Sequence, residues 1–236
     1  MSGEGLQSGR TFVWRIRPDA KTYDLLACSP LIVWYGVTIL RQAPGLAQDM
    51  AKLFQPQSGL LPVVDVLARL AVLLFAAALV VMLVARRPAA AKVSGIFPRV
   101  AAVLGAYLGM GILTLPRHAI GWEFQVLSTL LILGGMGFAL WGLLWLGRSF
   151  SILSEARRLV TGGPYAIVRH PLYLGEQVAL LGVALQYLSP LALVFLAAQI
   201  VFQVCRMGFE EHILAATFPE YAGYMRRTRR LIPGVY

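Results

Sequence analysis

Six stretches of the chain, at about 25–40, 62–85, 100–115, 124–147, 174–188 and 190–205, carry almost no charge. About 20 such residues cross the ~30 Å of hydrocarbon in a bilayer. Inside lipid a backbone must satisfy its own hydrogen bonds, so runs of this kind fold as helices. Composition agrees, since 58% of the 236 residues are hydrophobic and 14% are charged, against about 25% charged in soluble domains. No polar stretch is long enough to bury a separate soluble core. The expectation is one all-α, polytopic transmembrane domain of about six spans.

The formal net charge of +10 does not point to nucleic acid, because the basic residues are spread over several interhelical segments instead of forming one stripe with aromatic residues. They report topology. Alternate interhelical segments hold 17 Lys and Arg residues against 3, with Arg69 alone inside a span. By the positive-inside rule both termini and the segment 148–171 face the cytoplasm. The first apolar run begins near Leu25 after a polar arm and lacks a small-residue cleavage site, so it is expected to stay as an anchor.

Residues 177–205 form one uncharged run, interrupted by Ser189-Pro190. Proline restricts its predecessor and interrupts helices, which predicts a tight hairpin of two short limbs. The limbs would barely cross the core, so the bilayer thins there or the limbs lean on other helices. The hairpin returns the chain to the side it left and brings Glu210-Glu211 near His170.

Other features read as structure. Cys28 and Cys205 sit near predicted cytoplasmic ends of spans, where thiols stay reduced, and are expected to pack as small apolar residues. His118, His170 and His212 are scattered without ligand spacing, so no metal site is expected. Gly105 with Gly109, and Gly134, Gly135 and Gly137, suit close helix approach in lipid. A dinucleotide fold would need strand, glycine turn and helix together, and the sequence offers none. Asp65 and Arg69, four apart, are expected to form a local ion pair.

The segment between the two limbs of the membrane region is different. Gly147-Arg148-Ser149-Phe150-Ser151, Leu159-Val160-Thr161, Gly163-Pro164-Tyr165, Val168-Arg169-His170-Pro171, Tyr173, Gly175 and Glu210-Glu211 follow one another in order. Phe218, Glu220-Tyr221, Tyr224, Arg230 and Ile232-Pro233 continue the series. Each piece alone has an ordinary reading: a Gly-Pro turn, interfacial tyrosines, a snorkelling Arg206, arginines on headgroups. As an ordered series it resembles the isoprenylcysteine carboxyl methyltransferases and the related phospholipid methyltransferases. The resemblance runs over roughly 147–233, which divides the chain into an N-terminal arm with four spans, 1–146, expected to select substrate, and a methyltransferase-like region, 147–236.

The resemblance implies S-adenosylmethionine as methyl donor, held without a Rossmann domain in a cytoplasmic segment, and a lipid or lipidated acceptor entering from the membrane. The donor carries a zwitterion, two ribose hydroxyls, an adenine ring and a sulfonium. Its site needs a cation or donors, a carboxylate, and apolar or aromatic walls. By that resemblance Gly163, Tyr165, His170, Pro171, Tyr173, Gly175 and Glu211 form the donor site, His170 meeting the donor carboxylate. Arg206 and Glu210 are the catalytic pair: Arg206 lies one turn before Glu210 and its planar fork suits a carboxylate acceptor, whereas an amine acceptor would need a base such as Glu210. Both acceptors stay open, with carboxylate the first choice. A membrane reductase using NADPH is a second reading, since Gly175-Glu176 fits its pattern, but Leu172 stands where those enzymes have Asn. A non-catalytic scaffold is a third, opposed by the intact His170, Tyr173 and Glu211.

Overall fold

The computed structural model describes residues 21–55, 60–87, 89–118 and 120–236. The polar arm 1–20 lies outside the described residues, as do most of the grounds for reading the N-terminus as an uncleaved anchor. The chain is a helical bundle: α1 Lys21–Lys52, α2 Leu60–Ala85, α3 Ile96–Tyr107, α4 Trp122–Leu146, α5 Pro171–Gln186, α6 Pro190–Thr217 and α7 Tyr221–Arg227. A 3-10 segment, Leu108–Thr114, extends α3. Two strands of two residues each, β1 Ala91–Lys92 and β2 Glu155–Ala156, complete it.

Four of these helical stretches are long and apolar enough to cross a membrane: Pro62–Ala85, Ile96–Thr114, Trp122–Ser149 and Pro190–Thr217. The fold is all-α and polytopic, but the expected six spans reduce to four by this measure. α5 has 16 residues, about 24 Å at 1.5 Å per residue, which falls short of the hydrocarbon core. α1 dilutes its apolar residues with Ser29, Pro30, Tyr35 and Gly36. α1 also continues through Pro44 to Lys52, well beyond the first apolar stretch at 25–40.

Helix α4 lies between α2 and α5, α1 packs on α2, and α3 packs on α6. Glycine makes the closest of these contacts possible. A Cβ on Gly175 of α5 would stand 2.5 Å from the Ala139 nitrogen and from the Gly135 oxygen of α4, so only bare backbone fits there. Gly105 meets the backbone of Gln203 on α6 in the same way, as the small-residue pattern predicted, while Gly134 and Gly137 have open space beside them. Phe75, Leu79 and Leu83 of α2 meet Leu143 of α4, Leu172 of α5, Met207 of α6 and Cys28 of α1 in the main core. Large apolar residues on the outer faces, Val81, Leu130, Trp145 and Val201 among them, stay exposed. That is the surface lipid requires and water disfavours.

The hairpin forms where proline predicted it, but only its first limb is short, since α6 runs 28 residues and is long enough to cross a membrane. Ser189 caps α6, its hydroxyl accepting from the Ala192 N–H at 3.2 Å, and Pro190 takes the first helical position, where its missing N–H costs nothing. The Asp65–Arg69 pair does not form. Arg69 donates instead to Asp49 at 2.6 Å and to Gln42 at 2.8 Å on α1, and Asp65 accepts from Thr129 of α4 at 3.3 Å. A tertiary partner outcompetes the weak local pair.

The segments between α2 and α3, between α4 and α5, and after α6 gather at one end of the bundle. β1 pairs with β2 antiparallel, Ala91 opposite Ala156 and Lys92 opposite Glu155. Glu155 ties the layer together, accepting from Lys92 at 3.0 Å, Arg157 at 2.6 Å and Ser151 at 2.8 Å. The tail closes over it, with the Arg169 and His170 N–H groups donating to the Arg229 and Arg230 carbonyls at 2.7 and 3.0 Å. Three segments that the charge alternation assigned to one side thus share one end.

Candidate active site

His170 is the hinge of the site. It caps α5 just before Pro171, with φ −126° and ψ 61°, and it is buried. Its ring stacks on Tyr173 with centroids 5.3 Å apart and planes 8° from parallel. Its Nε2 faces Glu211 Oε1 at 3.1 Å, across the gap that the hairpin closes.

The two adjacent glutamates of α6 do different work. Glu211 holds the tail: Arg169 Nε donates to one oxygen at 2.9 Å, and Arg230 donates through Nε and Nη2 to the other at 2.9 and 2.7 Å. The carboxylate in turn holds the Arg230 guanidinium charged well above its ordinary range, chiefly through these hydrogen bonds. Arg169 also reaches the Thr228 and Met225 carbonyls at 2.5 and 3.2 Å, so one charged cluster pins α6, the 163–170 segment and the tail together.

Glu210 points the other way. Its Oε1 accepts from the Tyr173 hydroxyl at 2.5 Å and from Arg206 Nε at 3.1 Å, one helical turn back. The Arg206 guanidinium sits over the Tyr173 ring, 4.6 Å from its centroid, and Nη2 reaches toward the Ser151 carbonyl at 3.5 Å. Arg206 is 2% exposed. A charge so buried persists only when paired, and here a carboxylate and a ring face both serve it.

Beside these residues opens a cavity with about 720 Å³ of empty space, its mouth included. Tyr165, His170, Tyr173 and Glu210 line it, with Phe150, Leu159, Val160 and Leu214 as apolar wall and Arg157, Arg158 and Arg169 as cations. Burial first, then the nearby Glu210 charge, pushes the Tyr165 phenol above its usual range, so it stays neutral and can donate. Its carbonyl accepts from the Tyr224 hydroxyl at 2.6 Å, which ties the cavity floor to α7.

Of the residues singled out from the sequence, Tyr165, His170, Tyr173 and Glu210 therefore meet at one cavity. Arg206 lies behind Tyr173. Gly163, Pro171, Gly175 and Glu211 do not line it. Gly163 adopts a positive φ of 59° directly under Trp145, Pro171 starts α5, and Gly175 seats α5 on α4. Arg157 and Arg158, read from sequence only as topology charges, are wall residues; their neighbourhood of Phe150, Ser151, Leu159 and Val160 was the signal available.

A helical membrane bundle with an aromatic, carboxylate-bearing cavity at one end defines the class of protein. Residues 124–221 match the family described as phospholipid methyltransferase. Among curated proteins the chain is 35% identical over 114 residues to the cobalt-zinc-cadmium resistance protein CzcN of Cupriavidus metallidurans. It is 30% identical over 141 residues to the nickel-cobalt-cadmium resistance protein NccN of Alcaligenes xylosoxydans xylosoxydans. With protein-S-isoprenylcysteine O-methyltransferase B of Arabidopsis thaliana it shares 34% over 96 residues. These matches cover 48%, 50% and 38% of this chain and 51%, 66% and 49% of the relatives, so the chain spans from about half to just under two thirds of their length. This region of the chain thus fits the phospholipid methyltransferase family and is similar to a protein-S-isoprenylcysteine O-methyltransferase. The matched region begins within α4, earlier than the motifs alone indicated, which agrees with the close seating of α5 on α4.

Proposed function

We propose that the chain transfers a methyl group from S-adenosylmethionine to a lipid or lipidated acceptor held within the membrane. The observation that carries this reading is the cavity itself: Glu210, fixed by Tyr173 and Arg206, faces aromatic and apolar walls with guanidinium groups among the lining. That donor set fits the methyl donor's chemistry. Tyr165 and the apolar wall would flank the adenine, Glu210 would accept from ribose hydroxyls or the amine, and His170 with Arg157 or Arg158 would meet the carboxylate.

When bound, the donor supplies an electrophilic methyl on a sulfonium whose thioether leaves readily. The protein's own work is then positioning and exclusion of water. Tyr173 and Arg206 lock the Glu210 rotamer, and the Glu211 cluster pins the tail to α6 and to Arg169 of the cavity lining. A carboxylate acceptor would need no base and would look to Arg206, although that guanidinium is turned toward Glu210 and the Tyr173 ring. An amine acceptor would need a base. The family match speaks for methyl transfer over NADPH-dependent reduction, and the metal resistance in the names of two relatives belongs to those proteins.

The finer topology belongs to the same proposal. α1 and α5 complete six crossings, α5 by leaning on α4, and the end bearing the cavity faces the cytoplasm with both termini. Residues 1–146 would shape the acceptor's path and 147–236 the donor site. The test is transfer of labelled methyl from S-adenosylmethionine to a membrane lipid extract by the purified protein. A labelled lipid that disappears on Glu210→Gln supports the reading, and the absence of any labelled product refutes it.

A further inference from the structure

A second cavity lies deeper in the bundle, with about 980 Å³ of empty space, its mouth included. Phe75, Met110, Met136, Leu180 and Val183 make its walls apolar. Glu176 of α5 and Gln199 of α6 also line it, and a carboxylate in such surroundings needs an explanation.

The two cavities are joined by one polar seam. Gln199, Gln203, Arg206 and Glu210 recur at intervals of four, three and four residues, which puts them on one face of α6. Tyr173 and Glu176 are three apart on α5, so Tyr173 and Glu210 serve the first cavity while Glu176 and Gln199 serve the second. Most polar atoms of the seam are spoken for. Gln199 donates to the Gly105 carbonyl at 2.7 Å and accepts from Gln177 at 2.9 Å, and Arg206 is bound to Glu210.

Glu176 is the exception. Its one hydrogen bond among the described residues comes from Gln203 Nε2 at a long 3.5 Å, and none of the ion pairs among those residues includes it. Gln203, only 2% exposed, leaves its own Oε1 without a partner. Two carboxylates, Glu176 and Glu210, thus share a seam that holds one guanidinium; Glu176 accepts one long hydrogen bond, and the Gln203 Oε1 beside it has no partner. Unmet acceptors in an apolar site are costly, and a ligand that supplies donors recovers that cost.

We propose that the deep cavity holds the apolar body of the acceptor lipid and that Glu176, positioned by Gln203, selects a polar end that donates a hydrogen bond, N–H or O–H, against one that is a carboxylate. This deepens the methyl-transfer reading and rests on it for calling the ligand an acceptor. A carboxylate head would bring further acceptors and further negative charge to a seam with one cation, in a medium that screens poorly. An amine or hydroxyl supplies a further donor to Glu176, the carboxylate that lines the cavity. Glu176 is thus a specificity-determining residue, distinct from Arg206 and Glu210.

The experiment uses the full chain in zwitterionic nanodiscs at neutral pH and titrates farnesylamine, farnesol and farnesoic acid, which share one chain and differ in the head. In wild type the amine or the alcohol should bind at least about tenfold tighter than the acid, and which of the two does so identifies the head. Glu176→Gln should bring the three to within about threefold, chiefly by improving the acid. Ala106→Phe, which fills the cavity wall, should weaken all three together. Equal binding of acid and amine in wild type, an unchanged ranking in Glu176→Gln, or unaffected binding in Ala106→Phe would each overturn the proposal. The wild-type ranking depends on no variant folding. S-adenosylmethionine titrated into the same samples keeps the two claims apart: a donor that does not bind removes the methyl-transfer reading whatever the heads rank, and a donor that binds equally to wild type and Glu176→Gln leaves the head ranking as the sole test.

Discussion

The hydroxyl of Tyr173 donates to Glu210 at 2.5 Å although 37 positions separate them, and Arg206 lies against both, on the ring of one and the carboxylate of the other. Three side chains from two limbs of a hairpin thereby form one linked unit, with Tyr173 and Glu210 as its wall on the first cavity. The functional account rests on that wall.

Arg206→Lys tests it. Lysine keeps the charge and can snorkel, but loses the planar fork that stacks on Tyr173 while donating to Glu210. Turnover should fall at least about tenfold with donor affinity nearly unchanged. Turnover at the wild-type level would mean that Arg206 needs only its charge, and a matching loss of donor affinity would move it into the donor pocket.

His170→Ala removes a ring that lines the cavity and supports Tyr173. The affinity for S-adenosylmethionine should weaken by about 1.5–3 kcal/mol, the range for a charge-assisted contact. Calorimetry on monodisperse variant protein provides the check, and an unaltered dissociation constant would take His170 out of the donor site.

Glu211→Ala addresses stability. Arg169 and Arg230 would lose their shared carboxylate and the His170 ring its partner, which should cost about 3 kcal/mol and lower the thermal midpoint in detergent. Limited proteolysis should release the tail after α7 first. A variant as heat-stable and protease-resistant as wild type would show that the tail is held by other contacts.

Gly175→Val tests the seating of α5 on α4. Its side chain would collide with backbone at Ala139 and Gly135, at a cost of about 3 kcal/mol. Gly134→Val, with nothing near its Cβ position, should behave as wild type. Equal yields of folded protein from both would contradict the packing described.

Much of this arrangement was legible in the sequence because it is set by local features. Ser189-Pro190 fixes the hairpin, and the hairpin alone brings His170 to Glu211. The ordered motifs drew attention to Tyr165, Tyr173 and Glu210, which do line the cavity. What was hidden depends on tertiary partners. Arg69 turns to Asp49 of α1 instead of Asp65, a choice no helical spacing reveals. Gly163 lies against the Trp145 ring and Gly175 against the α4 backbone, a packing role that sequence cannot separate from ligand contact. The seam of Gln199, Gln203, Arg206 and Glu210 was present at helical spacing, yet reading the run 177–205 as uncharged concealed its polar face. β1 and β2 are two residues each, too short for alternation to announce them.

The most direct test of the central claim is calorimetric titration of the solubilised wild-type protein with S-adenosylmethionine and, in parallel, NADPH. The account predicts saturable binding of S-adenosylmethionine that Glu210→Gln weakens at least about tenfold, with no heat of binding from NADPH. Saturable binding of NADPH with none for S-adenosylmethionine would contradict it.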